Sequence, residues 1–327
     1  MQSTIRHLGK VIVEAEHGGL MRLPEEPPTF LRLFTPQFDV TSVLPGLALL
    51  ALVVYLLGVR SLRRRGLRWP WYRTANYVLG TVSVLLVTAT QVMGYGMMLF
   101  SVHMLQKMVL TILSPMLLML GAPLSLAVRA LPRHGLGALF RRLLLHALRS
   151  RVARFLAHPV VTTVVFVGSL YGLYFTPFFD LLMRSWAGSL LMLVFFMGTG
   201  LLAFGGAFAL GPWPHRASPP TRIVELVLPG PLHAFFAVAL MMASKPVVNT
   251  FTNPPPAWGV DVLTDQLAAG NIIWGFGEVP SIIAFTIVYV QWVRSEGRRT
   301  PAADRRAEAD LEAYNAYLAR LADRGRR

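Results

Sequence analysis

Few residues in this 327-residue chain could do chemistry, and they cluster in two places. The first is the run His103-Met104-Leu105-Gln106-Lys107-Met108. On a helix, His103 and Lys107 lie one turn apart on one face, and Met104 and Met108 lie on the adjoining face. An imidazole beside two thioethers is a soft donor set suited to Cu(I). The blander account is a histidine near the membrane interface with ordinary methionine packing. The second place joins Pro229-Gly230-Pro231-Leu232-His233 to Trp274-Gly275-Phe276-Gly277-Glu278-Val279-Pro280. Each places a titratable group beside prolines or glycines. Proline removes a backbone donor and disturbs a helix, so both segments are expected to be broken. Paired breaks with polar groups mark binding sites in some membrane proteins, but His233 and Glu278 could equally satisfy loosened backbone. Asp265 stands just ahead of the last apolar stretch and completes the polar candidates, with Gln91 and Asn76 weaker.

Apolar helices must position these residues. Hydrophobic residues make up 54% of the chain and charged residues 14%, against about 25% charged in soluble domains. Stretches near 43–59, 76–96, 101–121, 159–179, 186–210, 222–243 and 270–293 are long enough, or nearly so, to span a bilayer. The expected fold is therefore an all-α, polytopic membrane helix bundle of about seven transmembrane helices. Gly168 and Gly172 suggest close helix packing in the fourth.

Arginine sets the orientation. Arg60, Arg63, Arg64, Arg65, Arg68 and Arg73 follow the first span, and Arg129, Arg133, Arg141, Arg142, Arg149, Arg151 and Arg154 follow the third, with no acid among either group. Arg216 and Arg222 follow the fifth, and the tail adds nine arginines and six acids. All fall on one face of a seven-span chain, which predicts an N-terminus outside and a C-terminus in the cytoplasm. Residues 1–42 then form an extracytoplasmic segment without a cleavable signal pattern, 43–293 the membrane domain, and 294–327 a charged cytoplasmic tail. Within 133–157, Leu136, Phe140, Leu143, Ala147, Val152 and Phe155 alternate with arginines. That pattern predicts an interfacial amphipathic helix on anionic lipid. The net charge of +15 has membrane explanations, so nucleic acid is not an expected partner. The chain has no cysteine, which removes thiolate chemistry, and no acid–base or nucleophile constellation points to an enzyme.

Several blocks, in order from about residue 40 to the end, resemble the CtaG family of cytochrome c oxidase assembly factors, the multi-spanning type of bacilli and actinobacteria. They are Phe100 to Met108 with Leu120-Gly121-Ala122-Pro123-Leu124 and Arg129-Ala130-Leu131-Pro132, the block from His233 to Met241, Trp258 to Asp261 with Asp265-Gln266, Ile273 to Pro280, Gln291-Trp292, and Tyr314-Asn315 with Tyr317-Leu318. The resemblance implies a seven-span protein of the bacterial cytoplasmic membrane that matures haem–copper oxidases. It also implies delivery or insertion of Cu(I), and partners among oxidase subunits or other assembly factors. By position, His103, Met104, Met108 and His233 become candidate metal residues, with Asp265 and Glu278 also on motif positions.

The departures are specific. The family motif commonly reads His-Met-x-x-His-Met, and here the second histidine is Lys107. The histidine that usually opens the fifth span is missing from Trp186-Ala187-Gly188-Ser189-Leu190-Leu191-Met192, and Leu210-Gly211-Pro212-Trp213 replaces a Gly-x-Asp-Pro turn. Lysine offers donors only while protonated. Two readings follow: a copper-handling assembly factor, or a metal-free scaffold in which Lys107⁺, neutralised by Glu278 or another acid, replaces a metal. A small-solute or proton transporter is a third, motivated by the expected breaks.

Overall fold

The computed structural model describes residues 23–37, 43–132, 134–215 and 217–325. Most of the N-terminal segment, with Arg133, Arg216 and the last two residues, lies outside them. Among the described residues the chain is helical, and the only pairing of extended backbone is a single bridge between Pro36 and Thr90.

Five helices are long and apolar enough to cross a membrane. They are α1 (Val43–Arg64), α3 (Phe100–Ala130), α7 (Trp186–Phe208), α8 (Pro219–Met242) and the first part of α9, through Arg294. Two shorter helices, α2 (Trp71–Thr88) and α6 (Pro159–Tyr174), fall where the other two expected spans begin. Helix α9 itself runs unbroken from Val262 to Gly325, so the seventh apolar stretch and the charged tail form one rod. Many large apolar side chains face outward, such as Leu50, Val54 and Leu57 on α1 and Val164 on α6. Lipid is the solvent that suits such a surface.

Helix α3 is the hub, packed by α2, α7 and α9. Its midpoint widens into a π-helical turn over Val109–Leu113. Pro115 has no N–H to give the Thr111 carbonyl, and the wider turn accommodates its ring. Gly200 on α7 lies against this spot: a Cβ there would stand 2.1 Å from the Thr111 oxygen. The chain turns at Ala122 (φ 51°), and the Tyr55 hydroxyl donates to the Gly121 carbonyl at 2.9 Å, tying α1 to α3.

Three expectations change. Gly168 and Gly172 meet nothing within 4 Å, so they do not carry close packing; Gly80, Gly200 and Gly205 do. The helix stays continuous through Pro280, where the Ser281 hydroxyl donates to the Gly277 carbonyl at 2.6 Å. Of the two segments expected to be broken, only that in α8 carries a junction, at Leu228, and that residue is itself right-handed helical. The basic amphipathic segment is two helices, α4 (Gly135–Arg149) and α5 (Arg151–Leu156), because Ser150 is extended and its hydroxyl caps Ala153 N–H. These short helices lie between α3 and α6, so α4 and α5 precede α6 in the chain.

Candidate functional site

Lys107 is the centre of the polar interior. Its side chain is 1% exposed, and among the described residues no carboxylate pairs with it. The ammonium donates to the Ser169 carbonyl at 3.3 Å. It sits 4.4 Å from the ring centre of Tyr174, 5.2 Å from Phe196 and 5.9 Å from Phe236. One ring comes from each of α6, α7 and α8. A desolvated cation over such faces gains roughly 2 kcal/mol per good contact. The cage thus replaces part of the hydration that burial removes.

His103, one turn earlier on α3, is 2% exposed. Its Nε2 lies 2.8 Å from the Tyr174 hydroxyl. Phe179 and Phe251 stand edge-on and tilted against the imidazole at 5.1 and 5.6 Å. Phe251 belongs to the loop after α8 and closes this end of the site. Its loop is held by Asp180, which accepts from Thr250 N–H (2.9 Å), the Thr250 hydroxyl (2.6 Å) and the Asn249 amide (3.1 Å). Partial burial alone would raise the Asp180 carboxyl, but these hydrogen bonds outweigh it and hold the group below its ordinary value.

Met104 and Met108 are fully buried beside His103 on α3. Gln106 bridges to α2, donating to the Val87 carbonyl at 2.7 Å and to the Met93 sulfur at 3.2 Å. His233 lies on α8 with its Nδ1 3.1 Å from the Pro229 carbonyl and its ring 5.2 Å from Phe166. Among the described residues no group of three His, Cys, Asp or Glu side chains is placed to hold a metal.

The acids do other work. Asp265 caps α3 from α9, accepting from Phe100 N–H at 2.6 Å and from the Ser101 hydroxyl. A carboxylate at a helix N-terminus satisfies donors that the helix leaves free and complements its dipole. Glu278 is exposed and lines a cavity, so the expected Lys107–Glu278 ion pair is not formed. Gln91 and Asn76 take no part in the cage.

Sequence reasoning passed over Glu225, which is 7% exposed on α8 and accepts from the Thr162 hydroxyl at 2.5 Å. A lone carboxylate inside an apolar span was the available signal. It also passed over Tyr174, Phe196 and Phe236, since aromatic residues in apolar spans carry no mark of their contacts.

The sequence profile of the cytochrome c oxidase caa3 assembly factor family matches residues 53–295. Two uncharacterised proteins, from Mycobacterium bovis and Mycobacterium tuberculosis, are each 38% identical to the chain over 307 residues. A third, from Mycobacterium leprae, is 36% identical over the same length. Each alignment covers 90% of this chain and 46% of the relative, so the chain spans about half the length of the curated relatives it matches. No solved structure matches.

Proposed function

Because the chain belongs to the cytochrome c oxidase caa3 assembly factor family, we propose that it serves oxidase assembly as a membrane-embedded, non-catalytic scaffold whose polar core is built around the resident cation Lys107. The observation that carries this reading is the Lys107 ammonium, caged by three aromatic rings one helical turn from His103, with no carboxylate paired to it among the described residues. In this reading the lysine takes the place of a cargo cation. Copper fits the core poorly as it stands: ligation through His103 requires the Tyr174 hydroxyl to let go, and Lys107 repels an incoming cation.

The second reading is Cu(I) handling as cargo, through His103, Met104, Met108 and His233. The burial of both thioethers beside His103 favours it. It requires Lys107 to lose its proton or leave the cage.

Seven spans, N-terminus outside, suit both readings. Helices α2 and α6 rise about 27 and 24 Å at 1.5 Å per residue, short of the usual 30 Å core but close enough for local thinning. Arginines then gather on the cytoplasmic face of a bacterial membrane, where the exposed Phe140, Leu143, Val152 and Phe155 of α4 and α5 enter anionic lipid. The partner is an oxidase subunit or another assembly factor.

The test is a strain lacking the protein, complemented with wild type or with Lys107→Met, and scored for assembled oxidase by spectrum and activity. The scaffold reading expects Lys107→Met to reach the membrane at normal levels and fail to restore oxidase. Full restoration by Lys107→Met removes the lysine from the function.

A further inference from the structure

Arginine crowds the elbow between α1 and α2. Arg60, Arg63 and Arg64 end the first helix, Arg65 and Arg68 lie in the turn, and Arg73 opens the second. No Asp or Glu occurs in the sequence between Asp39 and Asp180. Arg73 is taken up by the face of Trp69, 5.0 Å away. Arg60, Arg63, Arg64 and Arg65 are exposed and border two grooves. The first, of about 480 Å³, lies between Leu56, Val59, Arg60, Arg63 and Arg64 of α1 and Thr74 of α2. The second, of about 470 Å³, runs along Leu57, Arg60, Ser61, Arg64 and Arg65. Arg60 and Arg64 line both, so they form a ridge between the grooves, and no carboxylate lines either. Like charges one helical turn apart repel each other. An anion seated on each side of the ridge relieves that repulsion.

Depth narrows the ligand. Arg60 lies about 26 Å along α1 from Val43, and Arg64 about 32 Å, at 1.5 Å per residue. A hydrocarbon core of about 30 Å ends at that level. Trp71 and Tyr72 are exposed at the same elbow, as side chains of the membrane interface are. Leu49 and Leu56, seven residues apart on one helical face, continue the first groove into the membrane, and Leu50 and Leu57 continue the second. All four are exposed. A free phosphate or an acidic peptide would use the guanidinium groups and leave these leucines idle, whereas a lipid uses both. The positive-inside rule accounts for arginine at this end of α1, but it asks only for charge, not for a shared pair flanked by two grooves.

We propose that this elbow binds one lipid with two phosphodiesters joined by a short linker, of the cardiolipin class, with one phosphate in each groove and the Arg60–Arg64 ridge between them. A guanidinium fork pairs with phosphate oxygens two at a time, so the two shared arginines can serve both phosphates. Arg63 flanks the phosphate of the first groove and Arg65 that of the second. The acyl chains run down the leucines below. A lipid with a single phosphate fills one groove and leaves the other open. The inference depends neither on the reading of Lys107 nor on which face of the membrane the elbow occupies.

Native mass spectrometry of the full chain in detergent gives the test. The protein is titrated with tetraoleoyl cardiolipin, with dioleoyl phosphatidylglycerol at equal phosphate, and with pyrophosphate as a competitor. The expected result is one cardiolipin held about tenfold or more tighter than phosphatidylglycerol, because its second phosphate binds intramolecularly, and not displaced by pyrophosphate at the same concentration. Arg60→Gln with Arg64→Gln should erase the preference. Arg141→Gln with Arg142→Gln removes the same charge from α4 and should keep it. Ser61→Trp fills the second groove and leaves every arginine in place, so it checks the result independently of how the double variant folds. It too should lose the preference. Equal affinity for the two lipids, equal loss in the two double variants, a preference that survives in Ser61→Trp, or displacement by pyrophosphate overturns the proposal.

Discussion

The Nε2 of His103 and the hydroxyl of Tyr174 stand 2.8 Å apart, and the same tyrosine ring faces the Lys107 ammonium at 4.4 Å. One side chain on α6 thus engages the imidazole with its edge and the cation with its face. That double contact joins the two residues of α3 into one buried unit.

Tyr174→Phe keeps the ring over Lys107 and removes the hydroxyl. His103 Nε2 is then a buried polar atom without its partner. The expected loss is about 1–3 kcal/mol, read as a lower thermal midpoint in detergent. Tyr174→Leu also removes the cation–π contact and should lose more. Equal midpoints for wild type and Tyr174→Phe would mean the hydrogen bond carries no weight.

Lys107→Met should be as stable as wild type, or more stable. No acid is left unpaired by the change, and replacing a buried charge by an apolar side chain of similar size is neutral or favourable by roughly 1–4 kcal/mol in known cases. Lys107→Glu, with a carboxylate against three ring faces, should not accumulate as folded protein. A marked drop in the midpoint of Lys107→Met would indicate that a counter-charge does sit beside the lysine.

Glycine substitutions separate packed from open positions. Gly200→Ala drives a Cβ to 2.1 Å from the Thr111 carbonyl, where backbone must move. Overpacking of that kind costs about 1–3 kcal/mol and sometimes more. Gly168→Ala and Gly172→Ala meet open space and gain helix propensity, so each should be neutral or stabilising by about 0.5–1 kcal/mol. The reverse ranking would contradict the packing of α3 on α7.

Asp180 gives the clasp on the loop after α8 a pH dependence. Its folded value lies below the ordinary 3.8. The clasp therefore contributes stability that is complete above that ordinary value and is lost as pH falls through the lower, folded one. Wild type should exceed Asp180→Asn at neutral pH by about 1 kcal/mol, and the two should converge in stronger acid. The chain has no cysteine, so Met104→Cys is a clean reporter of access. Its alkylation should quicken when Asp180→Ala frees the loop bearing Phe251. A pH-independent gap between wild type and Asp180→Asn would exclude this linkage.

The helices were legible because apolar stretches and arginine clusters leave few alternatives to a membrane bundle. His103 and Lys107 were legible as neighbours because helical spacing puts them on one face. Their surroundings were not. Tyr174, Phe196 and Phe236 come from three other helices, and nothing in local sequence says which apolar aromatic turns inward. Asp265 and Glu278 read alike as candidate acids, yet one caps α3 and the other lines a cavity, a difference set by tertiary packing alone. Gly168 and Gly172 matched a packing motif, whereas Gly200 is required by a carbonyl that Pro115 leaves free on another helix.

The most direct measurement is copper bound to the detergent-purified protein after reductive Cu(I) loading, for wild type, Lys107→His and His103→Ala. A resident lysine cation predicts substoichiometric copper in wild type and His103→Ala, with copper gained in Lys107→His. Stoichiometric copper in wild type that disappears in His103→Ala would contradict the account and establish the copper-handling reading in its place.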